Sequence, residues 1–296
     1  MSVASAGLVV WDVDGTLIPA DLRWLRRAVA RTYGISEAEV VFPAARVHGY
    51  TDESIVVDTA LASGIPVETA ERGVEQFHDQ LAHVMAEGEA ELARDQPAYP
   101  GAAETISALN KHGLIQTVLT GNLRSAAEVK LRVAGLDDHL DLEIGAFGSD
   151  ARDRFDLPAV ISQRFPGKYG QSLDPARTVI IGDAPNDIAC ARHAGFHVIV
   201  VAHRASREEL TQSSPDAIVE ALEADAVVAK VESVLSCAPR RSFHMSEIAR
   251  AHHMRDEPLA TVAMLDRAQQ ESPDTSAFRC SRDRPCPTLS KTAVRQ

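Results

Sequence analysis

A chain of 296 residues that is 45% hydrophobic and 24% charged can bury a large core, as one domain or as a domain carrying an insert. Its apolar runs, such as Val198 to Val201, fall far short of the ~20 residues that span a bilayer, and a net charge of -12 has the wrong sign for a nucleic-acid binder. Four cysteines (Cys190, Cys237, Cys280, Cys286) make no disulfide framework, and Met1 to Gly7 lacks the charged start and apolar stretch of a signal peptide, so a cytoplasmic protein is expected. The same acidity repels anionic substrates unless a metal inverts the field locally.

Leu8 to Trp11 has the apolar run of a buried strand. Residues 18 to 97 carry helical periodicity and no convincing strand, which predicts an inserted helical domain. Within it Leu22, Leu25, Val29 and Tyr33 stand at helical spacing behind Asp21 as N-cap, and Gly34 ends the segment. Gly64-Ile65-Pro66 and Asp95-Gln96-Pro97 read as breaks, the second returning the chain to the first domain. Beyond residue 100, β-rich runs recur at Ile115 to Leu119, Leu142 to Phe147, Thr178 to Ile181 and His197 to Ala202, with room for a helix between them. Strands alternating with helices predict an α/β fold with a doubly wound parallel sheet, built from residues 1–17 and 98–236 around the 18–97 insert. The character changes after Ser236: residues 237–296 are a mildly basic extension in which Leu259 to Gln270 could form an amphipathic helix and Glu271 to Gln296 is expected to be disordered. His244, His252, His253, Cys280 and Cys286 fit no familiar zinc spacing and read as a solvated tail.

Chemistry concentrates at three predicted strand ends. Trp11-Asp12-Val13-Asp14-Gly15-Thr16-Leu17 delivers two carboxylates, one residue apart, into a glycine turn, where both can reach one phosphate. An Asx turn or a calcium loop competes, although the loop wants further ligands nearby. Val118-Leu119-Thr120-Gly121-Asn122 offers a hydroxyl donor and leads into a helix, Leu123 to Ala134, whose free N–H groups suit an anion; an ordinary strand-to-helix turn would look the same. Gly182-Asp183-Ala184-Pro185-Asn186-Asp187 adds two carboxylates before a helix, Ile188 to Ala194, either as hard ligands for magnesium or as helix caps.

Taken together, Asp-Val-Asp-Gly-Thr-Leu, then Thr120, then Gly-Asp-x-x-Asn-Asp resembles the haloacid dehalogenase superfamily over residues 5 to 236, and the insert resembles the helical cap of its phosphoglycolate phosphatase and phosphoglucomutase branch. The resemblance implies a magnesium-dependent phosphatase acting on a small phosphorylated metabolite. Asp12 would be the nucleophile that forms an aspartyl-phosphate, and Asp14 the acid and base. Magnesium would be held by Asp12, the Asp14 backbone carbonyl and Asp183, with Asp187 supporting it through water. Thr120, Gly121 and Asn122 would bind phosphate. The family's usual lysine before the last motif is missing: Lys168 stands too close to Asp183, so Arg154 is expected in its place, with Arg152 a surface residue or alternative anchor. In the insert, Arg46, His48, Tyr50 and Thr51 are expected to face the site and select the substrate, against the alternative that Tyr50 packs in the cap core and Arg46 is solvated.

Other activities within the resemblance are separable to different degrees. Asp14 argues against a dehalogenase, and the absence of any lysine between Leu17 and Pro100 argues against a phosphonatase, which needs a cap lysine. A sugar phosphate mutase uses the same aspartates and stays open as the alternative, followed by a non-catalytic regulatory protein on the same scaffold. Oligomeric state and substrate identity leave no mark on the sequence.

Overall fold

The computed structural model describes residues 7–43 and 50–237; Arg46, His48 and the readings made for the tail beyond residue 237 lie outside the described residues. Strand β1 (Leu8–Trp11) is followed by helices α1 (Arg23–Tyr33), α2 (Asp52–Ala62), α3 (Val67–Arg72), α4 (Val74–Glu87) and α5 (Glu89–Asp95). Then come α6 (Ala102–Lys111), β2 (Ile115–Val118), α7 (Arg124–Val133), α8 (Leu157–Tyr169), β3 (Thr178–Gly182), α9 (Pro185–Ala194), β4 (His197–Val201), α10 (Arg207–Gln212), β5 (Ala217–Val219) and α11 (Ala224–Leu235). None of the described helices is long and apolar enough to cross a membrane.

The five strands form one sheet in the order β2-β1-β3-β4-β5, and every pairing is parallel. Parallel strands covered on both faces must be apolar throughout, which is why β1, β3 and β4 are buried at every residue. The two-residue period sorts them: Val9, Trp11, Val179, Ile181, Ile199 and Val201 pack with α6, α7 and α11, whereas Leu8, Val10, Ile180, Val198 and Val200 pack with α8, α9 and α10. Trp11 carries a polar atom into this core, and Gln116 on β2 satisfies it: Trp11 Nε1 donates to Gln116 Oε1 at 3.0 Å, and Gln116 Nε2 donates to the Ile106 carbonyl at 2.8 Å.

Residues 142–147 are not the strand that their sequence predicts. A single bridge, Leu119 to Ala146, survives, because turns through Leu142 to Ile144 break the ladder after Asp141 N–H donates to the Gln116 carbonyl. The segment instead covers the outer edge of β2 and buries Ala146 and Phe147. Strand β5 was not anticipated; at three residues it is too short to carry a periodic signal.

A separate apolar cluster joins α1, α2, α4 and α5 through Trp24, Ile55, Phe77, Leu81, Met85 and Leu92. Asp21 does not occupy the N-cap of α1, which falls on Leu22; its carboxylate instead accepts from Arg23 N–H and pairs with the Arg23 side chain. Gly34 closes the helix in the left-handed conformation, as its sequence position implies. The two crossings between insert and sheet are tied by one side chain: Gln96 Nε2 donates to the Pro19 carbonyl at 2.6 Å, and Gln96 Oε1 accepts from Trp24 Nε1. Leu123 and Ala126 at the start of α7 belong to the insert's cluster, while Ala127 and Leu131 belong to the sheet's, so α7 is gripped from both sides.

Candidate active site

The C-terminal ends of β1, β2 and β3 lie side by side, and each runs into a loop that carries polar groups to the same place. After β1 the backbone turns at Gly15, whose φ of +95° suits glycine and whose missing side chain leaves room for Asp183: a Cβ there would stand 2.5 Å from Asp183 Oδ2. Asp12, Asp183 and Asp187 are all buried, and one carboxylate oxygen from each falls within 4.8 Å of the others.

Three carboxylates cannot share a buried space as anions without a counter-charge. Burial and the neighbouring charge of Asp187 push Asp183 up to about 7, and burial together with Asp187 raises Asp12 well above its ordinary value. Arg154 partly answers this: its Nη2 donates to Asp12 Oδ1 and to Asp187 Oδ1, each at 2.7 Å. Burial alone would lower the Arg154 pKa, but the charges of Asp187 and Asp12 more than offset it and raise it above its ordinary value. Arg154 Nε is buried and has no hydrogen-bond partner among the described residues. The second oxygen of Asp187 accepts from the Asp183 and Ala184 N–H groups at 3.0 Å, so Asp187 both caps α9 and steers Arg154. The three clustered carboxylates, all hard oxygen donors, fit a divalent cation such as magnesium.

Asp14 stands apart from this cluster. Its Oδ2 accepts from Lys130 Nζ at 2.6 Å and from Asn122 Nδ2 at 2.8 Å, while Lys130 also reaches Asn122 Oδ1 at 3.0 Å. Asp14 Oδ1 is buried without a partner among the described residues. Asn122 was expected to bind phosphate, yet its side chain is committed to Asp14 and Lys130. Its backbone N–H donates to Thr120 Oγ1, closing the turn. Lys130 escaped the sequence reading because a lysine inside a helix is an ordinary residue. Helical spacing could not have found it, because Asn122 precedes α7 and the two side chains meet only through the turn that leads into the helix.

The insert closes over these loops. Asp52, in the first turn of α2, donates its N–H to the Gly121 carbonyl at 2.7 Å and accepts from Leu123 N–H at 2.8 Å. Gly121 permits the approach, since a Cβ there would overlap the Tyr50 carbonyl oxygen. Burial pushes Asp52 up to about 6 against the opposing effects of Lys130 and the Leu123 N–H. The cavity beneath is lined by Asp12, Asp14, Thr120, Lys130, Arg154, Asp183 and Arg204 on the sheet side and by Leu22, Leu25, Tyr50 and Ile55 on the insert side. Tyr50 therefore does both things weighed for it, facing the cavity and packing against the insert's cluster. Thr51 is instead a fastening: it caps α2 and donates to the Arg152 carbonyl at 2.5 Å. Arg152 pairs with Glu71 on the surface and does not touch the carboxylates, and Lys168 is held outside by Asp141 and Glu143. Arg204, in the loop after β4, was not anticipated; it approaches Asp183 at 3.5 Å.

Comparison with known proteins agrees with this geometry. The family model of haloacid dehalogenase-like hydrolases matches residues 9–192. A phosphoglycolate phosphatase of Haemophilus influenzae is 27% identical over 230 residues, covering 71% of this chain and 92% of that protein. Hexitol phosphatase A of Escherichia coli is 27% identical over 220 residues, covering 72% and 90%. The crystal structure of a hydrolase from Pseudomonas syringae shares the fold, with a TM-score of 0.56 at 17% identity over 76% of this chain and 98% of that one. The chain belongs to the haloacid dehalogenase-like hydrolases, among their phosphoglycolate phosphatase-like phosphoric monoester hydrolases.

Proposed function

We propose that the site hydrolyses a small phosphate monoester through an aspartyl-phosphate on Asp12, with Asp14 as acid and base. The observation that carries this reading is the division of the two aspartates. Asp12 is fixed among cation-binding carboxylates by Arg154, whereas Asp14 lies outside them with one oxygen held and one unpartnered among the described residues. Asp12 attacks phosphorus in line while Asp14 gives its proton to the leaving oxygen; Asp14 then takes a proton from the water that splits the acyl phosphate. Thr120, the backbone of Gly121 and Arg154 Nε bind the phosphoryl oxygens, and Arg154 keeps Asp12 aimed by its bond to Oδ1. Asp12, the Asp14 carbonyl and Asp183 would hold magnesium, which when bound lowers the repulsion between the nucleophile and the phosphate. Asp187 acts on that group through Arg154 and the β3–α9 loop.

The insert, residues 18–97, is the cap that keeps bulk water from the reaction, and Tyr50, among the insert residues that line the cavity, contacts the leaving group in this reading. Relatives named for phosphoglycolate and for hexitol phosphates share only a small leaving group, so the class proposed is a small phosphorylated metabolite. The test is phosphate release from a panel of such esters with and without magnesium. Release is expected only with the ion and not from Asp12→Asn; release by that variant at the wild-type rate would refute the assignment.

A further inference from the structure

We propose that Lys130 is a positioning residue for the reaction, holding Asp14 so that Oδ1, and only Oδ1, can exchange a proton with the substrate; this rests on the assignment of Asp14 as acid and base. Lys130, Asn122 and Asp14 form a closed ring of three hydrogen bonds: Lys130 Nζ to Asp14 Oδ2 at 2.6 Å, Asn122 Nδ2 to the same oxygen at 2.8 Å, and Lys130 Nζ to Asn122 Oδ1 at 3.0 Å. Two donors on Oδ2 leave it no room to carry a proton, and the buried Oδ1 is without a partner among the described residues. The proton that leaves for the substrate oxygen as the P–O bond breaks, and the one later taken from water, must therefore pass through Oδ1.

The ring is rigidly supported. The Lys130 side chain is 6% exposed, so its ammonium needs a fixed counter-charge, and Asp14 is its one salt-bridge partner among the described residues. The helix that carries it is gripped by the sheet through Ala127 and Leu131 and by the insert through Leu123 and Ala126. Two cations thus divide the work, Arg154 on the nucleophile and Lys130 on the acid and base.

Loss of a positioned acid is felt most where the leaving group is poor. The experiment compares kcat/KM for an alkyl ester, such as phosphoglycolate or a hexitol phosphate, with that for p-nitrophenyl phosphate, whose leaving group departs without a proton. Magnesium is present throughout. In Lys130→Met, kcat/KM should fall about 100-fold on the alkyl ester and by less than about threefold on the aryl ester. Lys130→Arg, which keeps a cationic donor in reach of Oδ2, should restore the alkyl rate to within about tenfold of wild type. Equal losses on both esters, in either Lys130→Met or the polar, uncharged Lys130→Gln if the first fails to fold, would overturn the proposal, as would no loss at all. Wild-type enzyme that releases phosphate from neither ester would instead refute the phosphatase reading on which the proposal stands.

Discussion

Arg154 bonds Asp12 and Asp187 through one nitrogen, so its removal leaves two buried carboxylates facing each other without a cation. Breaking a buried ion pair in this way costs about 3–5 kcal/mol of stability, and losing a donor aimed at the reacting group costs about 100-fold or more in turnover. Arg154→Ala is therefore expected to lose at least about 100-fold in kcat/KM, and Arg154→Lys, which keeps the charge but not the fork, to regain part of it; near-normal turnover in Arg154→Ala would contradict the role. Steady-state kinetics on folded protein decides between them. Asp12, Asp14, Thr120, Asp183 and Asp187 were legible in the sequence because each stands just after an apolar run that can only be a buried strand, and strand ends are where such sheets gather chemistry. Arg154 was legible only through the resemblance, whose pattern sets a cation before the last motif. Lys130, Asp52 and Arg204 were not, since their importance comes from contacts between residues far apart along the chain, which no local pattern reports.

Helix α2 meets the sheet at its N-terminus, where Asp52 spans the gap with both its N–H and its carboxylate. Asp52 has a folded pKa of about 6 against an ordinary 3.8, so the folded protein holds that proton more tightly than the unfolded chain. This group's contribution to stability is therefore fully present below about pH 4 and is lost as pH rises through about 6, a change of a few kcal/mol at most at about 1.4 kcal/mol per unit. Asp52→Asn keeps an acceptor for Leu123 N–H and removes the titration. Its Tm relative to wild type should rise between about pH 4 and about pH 7, whereas a constant difference in thermal melts across that range would contradict the assignment. At this scale α1 and α7 fall within two residues of their expected limits, whereas α9 begins at Pro185, three residues before the expected Ile188, because Asp187 closes its first turn from inside the helix. The 142–147 segment was misread because a covered edge can be apolar without pairing, and apolarity was the only signal available there.

Across the whole molecule, a net charge of -12 makes approach by an anionic ester unfavourable, and the site adds three buried carboxylates to that burden. A divalent cation relieves both. Magnesium at about a hundred times its Kd should stabilise the fold by about 2.7 kcal/mol, read as a rise in Tm, and Asp183→Asn should lose most of that rise. An equal rise in both proteins would show that the ion binds elsewhere. The parallel sheet and the helical insert were legible from the alternation of periods along the chain, and the resemblance already set the insert over the site; the contact that fastens it, Gly121 against Asp52, was not legible, because it joins residues far apart along the chain. The central chemical claim is a covalent phosphoenzyme on Asp12. Acid quench during turnover, followed by mass analysis of the peptides, should find one phosphoryl group on Asp12 in wild type and none in Asp12→Asn. Steady phosphate release with no phosphorylated peptide, or with the group on another residue, would contradict it.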